Sequence, residues 1–290
     1  MTRQQAIYSY YLFLLLTSLL LYTKLYAQPG YETFLLQEDN KPLKINTLFK
    51  NDKGYLYTGT SNGLYKFDGD KFTRINFQNK DYNDTVTAIF QDDKKKMWLG
   101  FQSGRIANVI NGILRYYNPE EGTPKKKITS FIQDAEHNIW YSSYGEGLYF
   151  IRNNHHYLFN ADDGLSDVNI SALMVAGKDI LAATDQGINI CSVKKGQKNV
   201  RIIGPRQGLP DYIVTSITTA GHNKFWIGLQ DKGFCLYDHT SGLISMPIPP
   251  GAWTHGQVNT ILEEHNNLWI ATQDEGLFKF ALPAGPLTAV

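Results

Sequence analysis

One pattern recurs six times along this chain, and it constrains the fold more than any other feature. Each copy opens on an apolar, mostly β-branched residue: INTL at Ile45, VTAI at Val86, ITSF at Ile128, ISAL at Ile170, VTSI at Val214 and VNTI at Val258. The steps between copies run from 41 to 44 residues. A second slot holds Leu56, Trp98, Trp140, Ile180, Trp226 and Trp269, and a third holds Gly63, Gly104, Gly147, Gly187, Gly233 and Gly276. Four of the five tryptophans fall in one slot. A structural unit of fixed length sets such a pattern, whereas a scattered functional requirement does not.

The inside of a copy shows what the unit is. In the fifth, YIVTSITTA, FWIGL, FCLYD and LISMPI are separated by GHNK, QDKG and HTSG. Short runs of β-branched and aromatic residues joined by tight polar turns read as antiparallel strands. No helical period appears after the N-terminal segment. Four strands in about 42 residues, repeated six times, predict an all-β fold: a β-propeller of four-stranded antiparallel blades. Trp98, Trp140, Trp226 and Trp269 are then blade-core residues filling the wedge between neighbouring blades, each worth about 2–3 kcal/mol.

The sixth copy ends in NLWIATQDEGLFKF followed by ALPAGPLTAV, rich in Pro and small residues. Its fourth strand is therefore expected from the other end of the chain, where Tyr31–Leu36 of YETFLLQ has no blade of its own. The N-terminal strand would close the ring; a truncated seven-bladed propeller is the alternative. Residues 1–27 read as a signal peptide: Arg3 precedes an apolar run from Tyr10 to Tyr22, and Ala27 marks the expected cleavage. An uncleaved anchor is the competing reading. The expected organisation is thus 1–27 signal peptide and 28–290 single propeller domain, periplasmic or secreted. Alternation places Cys191 and Cys235 on the same face of equivalent strands in adjacent blades, so a sheet should separate them and keep both thiols free.

The unit VTSI…FWIGLQDKGFCLYDHTSG, with the linkers ADDGLSDVNISAL (161–173) and RQGLPDYIVTSI (206–217), resembles the two-component regulator propeller repeat. The resemblance runs from about Tyr31 to Phe280 and is loosest in the second and fourth copies. It implies the sensor propeller of a bacterial hybrid two-component system or sensor histidine kinase, responding to glycans or other nutrients. Members commonly carry seven blades per propeller and continue into a membrane helix and a kinase. The six copies here leave open a stand-alone binding protein and a piece of a longer sensor.

Naming the four strands a to d in order places the d–a linkers and b–c turns on one rim, where binding residues concentrate. The candidate ligand-binding residues there are Tyr82, Arg105, Tyr144, Glu146, Asp167, Asn169, Asp185, Tyr212, Gln230, Trp253, His255 and Gln273. Trp253 lies outside the core slot beside amide and carboxylate groups, which suits sugar stacking. With 28 Lys and Arg against 27 Asp and Glu, the chain lacks the basic field that nucleic-acid binding requires. His137, His222 and His265 are spread over a–b turns of the opposite rim, and the adjacent pair His155–His156, placed in a c–d turn, makes a poor chelate. No Ser–His–Asp order, zinc-protease motif or phosphate loop is present. The expectation is a non-catalytic sensing propeller with no cofactor or metal. It would bind a small molecule or oligosaccharide and signal by homodimerisation or by docking to a membrane sensor kinase. The alternatives are a propeller lyase or hydrolase and a protein-interaction scaffold.

Overall fold

The computed structural model describes residues 33–77, 84–117, 123–152, 155–248, 253–282 and 287–289. Residues 1–27, expected to be a signal peptide, and Tyr82 lie outside these. The chain divides into two compact units, residues 1–42 and 43–290. In the first, Gln37–Glu38 pairs with Lys41–Pro42 across a two-residue turn in which Asp39 and Asn40 both take positive φ.

The second unit is a β-propeller of six four-stranded antiparallel sheets, with strands in each sheet neighbouring one another in chain order. Blade 1 comprises Ile45–Lys50, Leu56–Thr60, Gly63–Phe67 and Phe72–Ile75, and blade 2 Val86–Gln91, Met97–Phe101, Ile106–Ile110 and Ile113–Tyr116. Blade 3 comprises Ile128–Gln133, Ile139–Ser143, Gly147–Arg152 and His155–Phe159, and blade 4 Ile170–Ala176, Asp179–Thr184, Gly187–Lys194 and Gln197–Ile203. Blade 5 holds Val214–Thr219, Lys224–Leu229, Phe234–Asp238 and Ile244–Ser245, and blade 6 Val258–Glu264, Asn267–Thr272, Leu277–Ala281 and Leu287–Ala289.

The last of these corrects an expectation. Leu287–Ala289 pairs antiparallel with Leu277–Ala281, so the chain's own C-terminal stretch supplies the fourth strand of blade 6. Thr33–Leu36 has no strand pairing, and Tyr31 and Glu32 lie outside the described residues. The small residues after Phe280 made this stretch look unfit for a strand; a short outermost strand has little to bury and tolerates them. A second correction concerns His155 and His156. They stand in strand d of blade 3 rather than in a turn, so alternation points them to opposite faces.

The core is divided among five seams. Five buried apolar clusters join blades 1 and 2, 2 and 3, 3 and 4, 4 and 5, and 5 and 6. Trp98, Trp140 and Trp226 are 3–4% exposed, as the wedge-filling role requires. Each indole N–H is also satisfied: Trp98 by Asp92 at 2.9 Å, Trp140 by Asp134 at 2.7 Å, and Trp226 by Glu263 of the next blade at 2.6 Å. Opposite the incoming blade stands a small residue. A Cβ on Gly59 would lie 2.7 Å from Val86, so blade 2 approaches too closely for any side chain there.

The second residue of each strand a has a role that the repeat did not reveal. Every a–b pairing shifts register at this position, which marks a bulge. The bulged side chain reaches the first residue of the next blade's strand a. Asn46 donates to the Val86 carbonyl (3.3 Å), Thr87 to Ile128 (2.6 Å), Thr129 to Ile170 (3.4 Å), Ser171 to Val214 (2.7 Å) and Thr215 to Val258. The result is a belt of side-chain hydrogen bonds linking blade to blade around the innermost strands.

Both cysteines are free and buried. Cys191 belongs to the seam between blades 3 and 4 and Cys235 to the seam between blades 4 and 5, so the blade-4 sheet stands between them.

Candidate functional site

The two rims are defined by hydrogen bonds. The b–c turns of blades 1, 2, 3, 5 and 6 each donate a backbone N–H to a residue just ahead of strand a: Ser61 to Lys44, Gln102 to Thr85, Tyr144 to Lys127, Gln230 to Ile213 and Gln273 to Gln257. The turns and linkers expected to share one rim therefore do so.

The linkers themselves are built to a pattern. Asn160 caps the 3₁₀ turn Ala161–Asp163 reciprocally with Asp163, and Gly164 closes it in the left-handed region at φ 97°. Pro205–Gln207 repeats the geometry, ending at Gly208 with φ 94°. Leu165 and Leu209, the next residues, are buried. The DGL and QGL motifs thus set the path of the chain: a capped turn, a glycine reversal, and a leucine plugged into a seam. They position the residues immediately C-terminal to them.

A polar group on the rim lies just beyond the first of these leucines. Asp167 accepts the Asn169 backbone N–H at 2.6 Å, and Asn169 reaches Asp185 through its side-chain amide at 3.5 Å. Burial, then the charge of Asp167, raises the Asp185 carboxyl above its usual range, while Asn169 opposes the shift. After the second linker, Asp211 accepts from Tyr212 N–H and from Asp231 N–H, tying that linker to the b–c turn of blade 5. Tyr144 and Tyr212 are 58% and 56% exposed, so both present ring surface to solvent on the same rim, in turns flanking blade 4. Carboxylate and carboxamide groups between exposed rings can hydrogen-bond hydroxyls while a ring stacks on C–H faces.

The remaining sequence candidates are placed differently. Trp253 is 7% exposed, packs edge-on to Phe234, donates its indole N–H to Gly256 at 2.7 Å, and covers Gly233 so closely that a Cβ there would lie 2.7 Å away. It caps the seam between blades 5 and 6 and offers no stacking face, which corrects the expectation placed on it. His255 is paired with Glu275 at 2.7 Å beside Trp253. Glu146 is a staple: one carboxylate oxygen accepts from Ser143, Lys125 and Lys126. Arg105 lies over the Tyr116 ring at 5.2 Å. Gln230 and Gln273 line the rim through the backbone bonds above.

On the opposite rim, His137 contacts the carboxylate of Asp93 through Nδ1, and Asp93 also takes a 2.8 Å bond from Gln133, so this histidine joins blades 2 and 3. His222 and His265 sit at positive φ in tight turns with Asn223 and Asn266. His156 contacts the Tyr141 hydroxyl at 2.5 Å, and burial holds its imidazole down to about 4. Among the described residues no group of three or more His, Cys, Asp or Glu could hold a metal ion, and no helix is long and apolar enough to cross a membrane.

Comparison of the sequence with protein-family profiles and with curated proteins finds no match. Comparison of the fold finds propellers. The extracellular domain of BT4673 from B. thetaiotaomicron, designated a one component system, superposes with a TM-score of 0.71 at 17% identity over 90% of this chain. The extracellular domain of BT3049 from the same organism, designated a hybrid two component system, does so at 0.65 and 18% over 82%. Virginiamycin B lyase from Staphylococcus aureus matches at 0.66 and 14%, over 90% of this chain and 88% of its own. This chain spans about a third of the two B. thetaiotaomicron domains, 35% and 34%. The shared feature is the propeller fold, which here carries two tyrosines and a carboxylate–amide group on its linker rim.

Proposed function

We propose that this propeller is an exported sensing module of the two-component type that binds a neutral glycan or related nutrient on its linker rim without turning it over. The observation that carries the reading is the Asp167–Asn169–Asp185 group in the same rim as the exposed rings of Tyr144 and Tyr212. Two propeller neighbours designated as extracellular domains of signalling systems, together with the apolar N-terminal run, support an exported setting. Binding would be passed on by docking to a membrane sensor kinase or by dimerisation.

The test is thermal-shift screening against malto-, xylo-, manno- and arabino-oligosaccharides, followed by calorimetry on any hit. A hit should survive incubation unchanged and lose about tenfold or more in affinity with Tyr212→Ala and with Asp185→Asn. A flat screen, or a hit insensitive to both substitutions, overturns the reading. The raised Asp185 carboxyl beside Asp167 is the feature that would serve a hydrolase. A hit that is consumed by the parent protein and spared by Asp185→Asn moves the assignment there.

A further inference from the structure

A cavity of about 270 Å³ opens on the other rim, between the a–b turn of blade 3 and that of blade 4. Its apolar lining consists of Ala135, exposed in the a–b turn, the half-buried Val193, and the buried Trp140, whose ring stacks on Phe150 at 4.6 Å. Four charged residues line it, and their existing bonds determine which charges remain unspent.

Asp134 is saturated. One oxygen accepts Glu136 N–H and Asn138 N–H, both at 2.9 Å, and the other accepts the Asn138 amide and the Trp140 indole, both at 2.7 Å. Glu136 is matched by Arg152, whose Nη2 reaches it at 2.7 Å while its Nε donates to Asn138 at 3.0 Å. Arg152 Nη1 has no hydrogen-bond partner among the described residues. Lys178 is exposed and has no hydrogen-bond or ion-pair partner among the described residues. The neighbouring carboxylate, Asp179, is turned to His239 at 3.3 Å. The four charges sum to zero, but the donors left unspent among the described residues belong to Lys178 and to Arg152 Nη1, whereas both oxygens of Asp134 and one of Glu136 already accept. A saturated Asp134 and a paired Glu136 leave little to attract a cation.

We propose that this cavity is a second binding site, for a small monocarboxylate with an apolar body. Lys178 and Arg152 Nη1 hold the carboxylate, and Val193, Ala135 and Trp140 receive the body. Bridging two blades, the ligand would tie the blade-3 and blade-4 turns together on the rim away from the Asp167–Asn169–Asp185 group.

The probe is phenylacetate, titrated into the protein by calorimetry, with phenylacetamide as its uncharged counterpart. A ligand of this size should saturate with a Kd on the order of 1 mM. Lys178→Met keeps the stem and removes the charge. It should weaken phenylacetate about tenfold, matching the deficit of phenylacetamide on the parent protein. Lys53→Met, an exposed lysine in the a–b turn of blade 1, should leave binding unchanged. No saturation by about 10 mM overturns the proposal, and so does equal weakening by Lys178→Met and Lys53→Met, or equal affinity for acid and amide. Failure here leaves the linker-rim reading intact, because the two sites share no residue.

Discussion

Blades 2 to 5 and the two flanking blades carry the same repeat, yet equivalent residues live in different surroundings. The first residue of strand a is 0–2% exposed in Val86, Ile128, Ile170, Val214 and Val258, whereas Ile45 is 46% exposed. The apolar residue opening strand c is 0–4% exposed at Leu64, Ile106, Leu148, Ile188 and Phe234, and 39% at Leu277. Leu48 and Leu262 are similarly open at 59% and 57%. Strand a of each blade packs on strand a of the next from blade 1 through blade 6, and no comparable packing joins blade 6 back to blade 1 among the described residues. The belt stops at the same place: Asn259, the sixth member, accepts from Gln257 instead of reaching another blade. A repeat specifies a surface, and only a neighbour turns that surface into core.

The largest effect should come from a matched pair of leucines. Leu148→Ala, in a closed seam, should cost about 2–5 kcal/mol in chemical unfolding, and Leu277→Ala less than about 1 kcal/mol. Equal costs would mean that blades 1 and 6 meet in solution and would erase the contrast.

The thiols sharpen the comparison from within. Burial pushes both Cys191 and Cys235 up to about 12, from an ordinary 9.0. Both seams keep the thiol neutral while the unfolded chain ionises. Their contribution is complete below pH 9 and is lost as pH rises from 9 toward 12. Unfolding midpoints should therefore fall through that range, and Cys191→Ala/Cys235→Ala should flatten the fall. Native protein should react with no thiol reagent at neutral pH, and both thiols should label together on unfolding. Labelling of one before the other would show a seam that opens alone.

The smallest effect concerns the belt. Ser171→Ala removes the 2.7 Å donor to Val214 and should cost about 1 kcal/mol. Asn259→Ala, at the open end, should fall within about 0.5 kcal/mol of the parent. A measurable loss at Asn259 would place a partner across the open face.

Much of the fold was legible. The period located all six blades and turn chemistry assigned the rims; the slot located the wedge tryptophans of blades 2, 3 and 5, but Trp269 of blade 6 is only half-buried, with Lys279 over its ring, because no seam forms beyond it among the described residues. The candidate site was legible as a rim and blurred as a list. Trp253 looked like a platform because its sequence neighbours are polar, but Phe234 and Gly233, about twenty residues away, bury it. Tyr144 and Tyr212 stay open because each projects from a turn or linker on the rim, away from the seams between blades. Lys178 carried no signal, since an isolated lysine in a turn acquires meaning only from partners that are already taken.

The sequence alone determined everything that depends on local periodicity: strand alternation, turn geometry, blade length and the neutral charge balance. Each is a property of a few consecutive residues, repeated. The tertiary structure decided which strand completes blade 6, where the belt ends, which aromatic residues stay open and which charges remain unpaired. Most of these depend on which distant segments do or do not arrive alongside, and contact energies between such segments leave no periodic trace in the chain that makes them.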